Sequence, residues 1–156
     1  MGDGTAGPLL RRATAADLPA IVALLAADPH GAAREDPSEP LDARYRAAFE
    51  AIAADPNATL LVAERDGAVV GTLHLTLLPG LSHRGGWRGL IESVHVAAPH
   101  RGGGIGARMV RWAVAECRAR GCAVVGLTSN RSRTDAHRFY ERLGFAGSHV
   151  GFKMRP

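Results

Sequence analysis

The run from Leu90 to Ser129 constrains this chain more than any other stretch. "LIESVHV" (Leu90 to Val96) alternates in character, as a strand does. "HRGGGIG" follows, with Gly102, Gly103, Gly104 and Gly106 falling within five residues. A helical run then continues to about Arg120, and Gly121 is suited to end it as a left-handed C′ residue. "CAVVGLTS" reads as the next strand. A strand carried back to its own sheet by a helix must run parallel to the strand it left. The chain therefore needs a sheet with at least one parallel pair and a helix packed on its face.

The remaining elements fit around that unit. "LLRRAT" (Leu9 to Thr14) reads as a short opening strand. Thr14, with Asp17 three residues on, is close to a capping box, and Leu18, Ile21, Val22, Leu24 and Leu25 follow helical spacing. Asp28 to Pro40 is a polar loop with three prolines. Leu41 to Ala54 reads as a second helix, with Leu41, Tyr45, Ala48, Phe49 and Ile52 on one side. "TLLVAER" and "AVVGTLHLTLL" flank Asp66-Gly67, a pair suited to the positive φ of a hairpin turn. "PGLSHRGGWRG" is a glycine-rich loop, "TDAHRFYERL" a last helix before Gly144, and "SHVGFKM" a last strand. The order is β-α-α-β-β-β-α-β-α-β, a mixed α/β chain. At 156 residues, with no repeat or linker to divide it, residues 1–156 are expected to form one domain.

Composition removes several function classes. Apolar runs such as "AIVALLAA" are too short to span a bilayer. The start of the chain lacks the basic and apolar regions of a secretory signal, and Ala6 spoils an acylation motif at Gly2. Cys117 and Cys122 have no Cys/His pair to complete a metal site, so the expectation is no metal and two reduced, buried thiols in a cytoplasmic protein. The formal charge of +4 and pI near 9.8 favour anionic partners. The arginines are scattered, though, and aromatics make up 5 %, which argues against a nucleic-acid groove. The expected partner is a small molecule, with neither nucleic acid nor membrane.

The glycine loop is the place for an anion. A loop opening a helix presents unpaired N–H groups at the positive end of the helix dipole. Glycine lets a phosphate approach without a Cβ in the way, and Arg101 adds charge. A tight turn alone would explain one or two of the glycines. A P-loop is excluded because Gly106 is followed by Ala107-Arg108. A dinucleotide fingerprint fits poorly, because it belongs after the first strand of its domain.

Arg101-x-x-Gly104-x-Gly106 after a strand resembles the acetyl-CoA pyrophosphate loop of the GNAT superfamily of N-acetyltransferases. "NRSRTDAHRFYERLGF" resembles that superfamily's C-terminal segment, carried here by Ala136, Phe139, Tyr140, Gly144 and Phe145. The second block, with "LHL" and "IESVHV", also looks like the aminoalkylphosphonate N-acetyltransferase group. The resemblance implies an α/β (α+β) fold. Its central sheet would be mostly antiparallel, of about seven strands, with helices on both faces and strands 4 and 5 splayed apart. It implies acetyl-CoA as co-substrate, held by the backbone of Arg101, Gly102, Gly103, Gly104, Ile105 and Gly106. Val94 and Val96 would pair their backbone with its pantetheine arm. Dimerisation rests on the resemblance alone.

Tyr140 is the candidate general acid: a phenol can protonate a departing thiolate. Read as plain core, its hydroxyl would bond backbone instead. Glu92 is the candidate base, direct or through water, and its ordinary alternative is a solvent-facing strand position. His74 and His95 are the runners-up. Glu92 and His95 cannot share a face of the strand unless a bulge intervenes. Asn130 and Arg133 compete for one cofactor contact, because the resembling pattern has an asparagine where Arg133 stands. His137 is expected to point outward or cap the neighbouring loop. On the acceptor side, Asp28, Glu35, Asp36 and Glu39 suit a cationic amine or a solvated loop, whereas Arg84 and Arg88 suit an acid group. The expected reaction is direct acetyl transfer to a primary amine in a ternary complex, with the fourth strand's backbone stabilising the oxyanion. Cys117 and Cys122 lack a base partner for a covalent route. A non-catalytic acyl-CoA sensor and a protein N-acetyltransferase are the alternatives on the same fold.

Overall fold

A computed structural model describes residues 7–156. Residues 1–6, where neither a signal nor an acylation motif is read, lie outside the described residues. Five strands make one sheet in the order β1-β2-β3-β4-β5. They are β1 (Leu9–Arg12), β2 (Ala58–Arg65), β3 (Ala68–Leu78), β4 (Arg88–Val96) and β5 (Val124–Leu127). The helices are α1 (Leu18–Ala26), α2 (Ala43–Ala54), the single turn α3 (Ser82–Gly85), α4 (Ile105–Ala119) and α5 (Thr134–Arg142). The first three pairings are antiparallel, and β4 with β5 is parallel, as the α4 crossover requires.

Local chemistry sets most of the boundaries. Asp66 (φ 52°) and Gly67 (φ 77°) make the β2–β3 hairpin turn. Asp17 accepts from the Thr14 N–H at 2.7 Å and from its hydroxyl at 3.0 Å, which starts the turn leading into α1. The same carboxylate takes two bonds from Arg11, whose Nε also reaches Glu64, so β1, β2 and the α1 start are tied together. Arg11 holds the Asp17 carboxyl down at about 2. Asp42 caps α2 by accepting from the Arg44 N–H. Gly121 (φ 71°) ends α4, and the Cys122 N–H returns to the Cys117 carbonyl at 2.9 Å.

The core lies between α4 and the sheet. Ile105, Met109, Val110, Ala113 and Cys117 form one buried face of α4, packed with Leu61, Leu73, Leu75 and Ile91. Strand side chains alternate, so Val62 and Thr72 face the other side, where α1 buries Leu18, Ile21 and Val22. The sheet thus carries helices on both faces. The fit is close at Gly89, where an added Cβ would lie 2.2 Å from the Cys117 Sγ. Gly89→Ala is expected to cost about 1–3 kcal/mol through overpacking. Thermal melting checks this, and Cys117→Ala in the same chain should restore part of the loss.

Two expectations are corrected. Among the described residues the sheet has five strands, not about seven, and "SHVGFKM" forms none of them. Val150, Phe152 and Met154 alternate as a strand would, but no neighbouring edge receives them, and Phe152 is 93 % exposed. A period-two pattern makes a strand only where a partner supplies hydrogen bonds. The loop carboxylates are also not a uniformly solvated run. Asp28 is buried at 8 % exposure and the half-buried Glu35 accepts from the Tyr45 hydroxyl, whereas Asp36 and Glu39 are exposed.

Candidate active site

The site forms where β4 and β5 part. Their pairing runs from Arg88–Val124 to Ile91–Leu127 and stops there, while β4 continues to Val96. The cleft so opened is lined by β4 from Ile91 to His95, by β5 and its end from Leu127 to Ser129, and by Arg133 and Tyr140. The expected splay between strands 4 and 5 is therefore present. Backbone groups of a strand alternate between its two edges. The Ala97 N–H points to β3, bonding Val70 O at 2.9 Å, so Val96 and Val94 present theirs to the open edge. There the Val96 carbonyl accepts from Arg101 Nε at 3.0 Å. The side chains of both valines pack toward α4.

A bulge decides which side chains meet. Thr72 pairs with His95 and His74 with Glu92, so Ser93 and Val94 together stand opposite Leu73 alone. Ser93 takes φ 52°, an uncommon conformation for a residue with a Cβ. The extra residue brings Glu92 and His95 onto one face, beside His74 and Thr72. All three candidate bases thus share a side of the sheet, the side covered by α1. Glu92 is exposed and both histidines are half-buried. Burial pushes both imidazoles below their ordinary pKa, against the pull of Glu92 at His74 and of Asp28 at His95. At His95, Arg133, Arg101 and Arg34 add to the downward shift. Both rings are therefore neutral near pH 7.

Tyr140 projects from α5 with its ring edge-on to Phe139 and Phe145, at centroid distances of 5.0 and 5.9 Å. Its hydroxyl makes no hydrogen bond among the described residues, which leaves it available at the cleft and disfavours the plain-core reading. Burial raises the phenol pKa, and nearby Arg133 opposes this only in part. The group stays protonated near neutral pH.

The glycine loop stands at the far end of the open edge. Gly102 and Gly104 adopt φ of 80° and 78°, which a side chain would strain. Gly104 is the N-cap of α4 and offers no side-chain cap, and the first helical bond comes from Arg108 to Gly104. The N–H groups of Ile105, Gly106 and Ala107 therefore lack helical acceptors. Gly106 packs under Phe139 and Val96, each 3.5–3.6 Å from where a Cβ would sit.

Asn130 and Arg133 sit in the loop before α5 and do different things. The Asn130 side-chain oxygen accepts from the Ser132 N–H and hydroxyl, at 3.0 and 2.9 Å. Its carbonyl meets His137 Nε2 at 2.9 Å, so His137 caps this loop as expected. Arg133 reaches across to Asp28, Nη2 to Oδ2 at 3.3 Å. Burial alone would raise the Asp28 carboxyl, but the His30 N–H and Arg133 outweigh it and hold it below its ordinary value. Sequence reading did not mark Ser93, Ser129 or the Asp28–Arg133 pair. Ser129 Oγ is buried at the cleft and lacks a partner among the described residues. Arg84 and Arg88 are exposed and line no part of the cleft. Among the described residues no group of His, Cys, Asp and Glu is arranged to hold a metal, and no helix is long and apolar enough to cross a membrane.

Comparison with known proteins agrees with this geometry. The sequence profile of the Acetyltransferase (GNAT) family matches residues 20–145. The chain is 40 % identical over 108 residues to an aminoalkylphosphonate N-acetyltransferase of Salmonella typhimurium, covering 69 % of this chain and 70 % of that one. A crystal structure from Bacillus halodurans C-125, described as a transcriptional regulator, superposes with a TM-score of 0.93 at 42 % identity, over 95 % of this chain and 99 % of that one. A glucosamine-6-phosphate N-acetyltransferase from Arabidopsis thaliana shares the fold, with a TM-score of 0.79 at 22 % identity over 94 % of this chain and 97 % of that one.

Proposed function

Because the chain belongs to the GNAT family of acetyltransferases, with acetyl-CoA as the acetyl donor, we propose that it acetylates the primary amine of a small molecule. The observation that carries this reading is the cleft itself. The parting of β4 from β5 puts an unpaired strand edge, the Tyr140 hydroxyl and Glu92 in one opening. Acetyl-CoA suits what lies there. The uncapped start of α4 and the turn from Arg101 to Gly106 offer N–H groups to a pyrophosphate. Val94 and Val96 offer strand-edge groups to an extended amide arm, with Arg101 releasing the Val96 carbonyl. Ser129 Oγ supplies an unpartnered polar atom beside the same cleft.

Glu92 accepts the proton that the acceptor ammonium must lose, directly or through a water, and its exposure allows either route. The bulge at Ser93 turns backbone groups of β4 toward the reacting carbonyl, where they stabilise developing negative charge. Tyr140 then gives its proton to the departing sulfur, and its raised pKa keeps that proton in place until a thiolate forms. No enzyme thiol takes part. Burial pushes the Cys117 thiol up to about 12, and Cys122 packs against the core beside it.

Glu92→Gln is expected to lower kcat/KM by about 10²-fold near pH 7. The deficit should narrow as pH approaches the amine's own pKa near 10, because the acceptor is then already deprotonated. Rate profiles of Glu92→Gln, His74→Gln and His95→Gln against pH check the assignment. A larger loss in a histidine variant would move the base there. The description of the Bacillus halodurans relative as a transcriptional regulator motivates one second reading, in which the same site serves as an acyl-CoA sensor without turnover.

The aminoalkylphosphonate relative makes a short amine with an anionic tail the first acceptor to try.

A further inference from the structure

We infer that Arg133 reads an anionic group on the acceptor, so that the preferred acceptors are short molecules carrying an amine at one end and an acid at the other. The inference rests on amine acetylation at this cleft.

Arg133 stands in the loop just before Thr134, where α5 begins. Arg133 and Tyr140 both line the cleft.

The partner of Arg133 sets its direction. Asp28 follows α1, and α1 covers the face that carries Glu92, His74 and His95. Asp28 is itself fixed, because Oδ1 accepts from the His30 N–H at 2.8 Å. It holds only one guanidinium nitrogen, at 3.3 Å. The Arg133 Nε and Nη1 have no partner among the described residues, and the side chain is 42 % exposed. A planar donor set anchored at one corner and open at the others suits a phosphonate, phosphate or carboxylate. Arg34 and Arg101 also lie near enough to act on His95. Glu92 stands in the same cleft and suits the ammonium. Asp28 is a positioning residue here, and Arg133 the group that touches the acceptor.

The test uses three acceptors with one chain length: 2-aminoethylphosphonate, β-alanine and propylamine. The intact enzyme should prefer the two anionic amines, and their ranking tells phosphonate from carboxylate. Arg133→Gln should cut the preference for the favoured anion over propylamine by about 10- to 100-fold, through the acceptor KM. Arg133→Lys should keep part of it, and the acetyl-CoA KM and melting temperature should hold in both. Equal rates on all three acceptors in the intact enzyme would overturn the inference. So would an Arg133→Gln variant that loses acetyl-CoA affinity and keeps its acceptor preference, which would return Arg133 to the cofactor. If acetyl-CoA binds but no amine turns over, the acetyl-transfer reading fails instead. Calorimetric binding of 2-aminoethylphosphonate to the CoA-loaded protein then still decides the inference, by its presence and its loss in Arg133→Gln.

Discussion

Tyr140→Phe lowers kcat by about 10²-fold or more and leaves the acetyl-CoA dissociation constant near that of the unaltered protein. The change removes one oxygen. The ring keeps its edge-on contacts with Phe139 and Phe145, so the packing that seats α5 stays in place. Because the hydroxyl bonds no protein group among the described residues, removing it leaves no buried partner unsatisfied, and stability should change little. On the proposed mechanism, what is lost is the proton for the leaving sulfur. The direction of the pKa shift sharpens the expectation. Burial holds the phenol above its ordinary value, so the acid is fully protonated across neutral pH, and activity should not fall on its account until strongly alkaline pH. Single-turnover rates with saturating acetyl-CoA separate this loss from slow product release. An unchanged rate would remove Tyr140 from the chemistry, and a protein that keeps its function without turnover would favour the sensor reading.

Gly103→Asp weakens acetyl-CoA binding by about 10²-fold or more at low salt, with little effect on folding. Gly103 is the informative glycine of the loop. Gly102 and Gly104 hold positive φ, so a side chain there strains the turn whatever the ligand does. Gly103 has an ordinary φ, and the nearest atom to an added Cβ is the His100 carbonyl at 3.6 Å. A carboxylate there is acceptable at the start of a helix. It would face the pyrophosphate with like charge, though. Gly103→Asn supplies the same shape without the charge and should bind far better than Gly103→Asp. Raised ionic strength should close part of the gap. Equal affinities for the two variants would mean that the loop does not carry the anion.

The parts of this molecule that were legible in its sequence are those encoded locally. Asp66-Gly67 fixes a turn by its own φ preferences. A helix returning "CAVVGLTS" to the sheet requires the β4–β5 parallel pair. The glycine loop and the Tyr140 segment were readable as motifs because their residues are near one another in the chain. The rest depends on partners distant in sequence. Nothing around Ser93 announces a bulge, since neither glycine nor asparagine occupies the positive-φ position. The bulge is nonetheless what puts Glu92 and His95 on one face. Asp28 looks like one more acid in a polar loop until folding lays it against Arg133. Val150, Phe152 and Met154 carry a strand's alternation with no edge to join. Alternation reports a face, whereas a strand also needs a neighbour.

The most direct test of the whole account is a titration of the purified protein with acetyl-CoA, followed by thiol release against a panel of amines. The panel holds aminoalkylphosphonates, polyamines, aminoglycosides, amino acids and a short peptide. The account predicts saturable acetyl-CoA binding and amine-dependent thiol release, fastest with a short amine that bears an acidic group. A protein that binds no acetyl-CoA at millimolar concentration would contradict it.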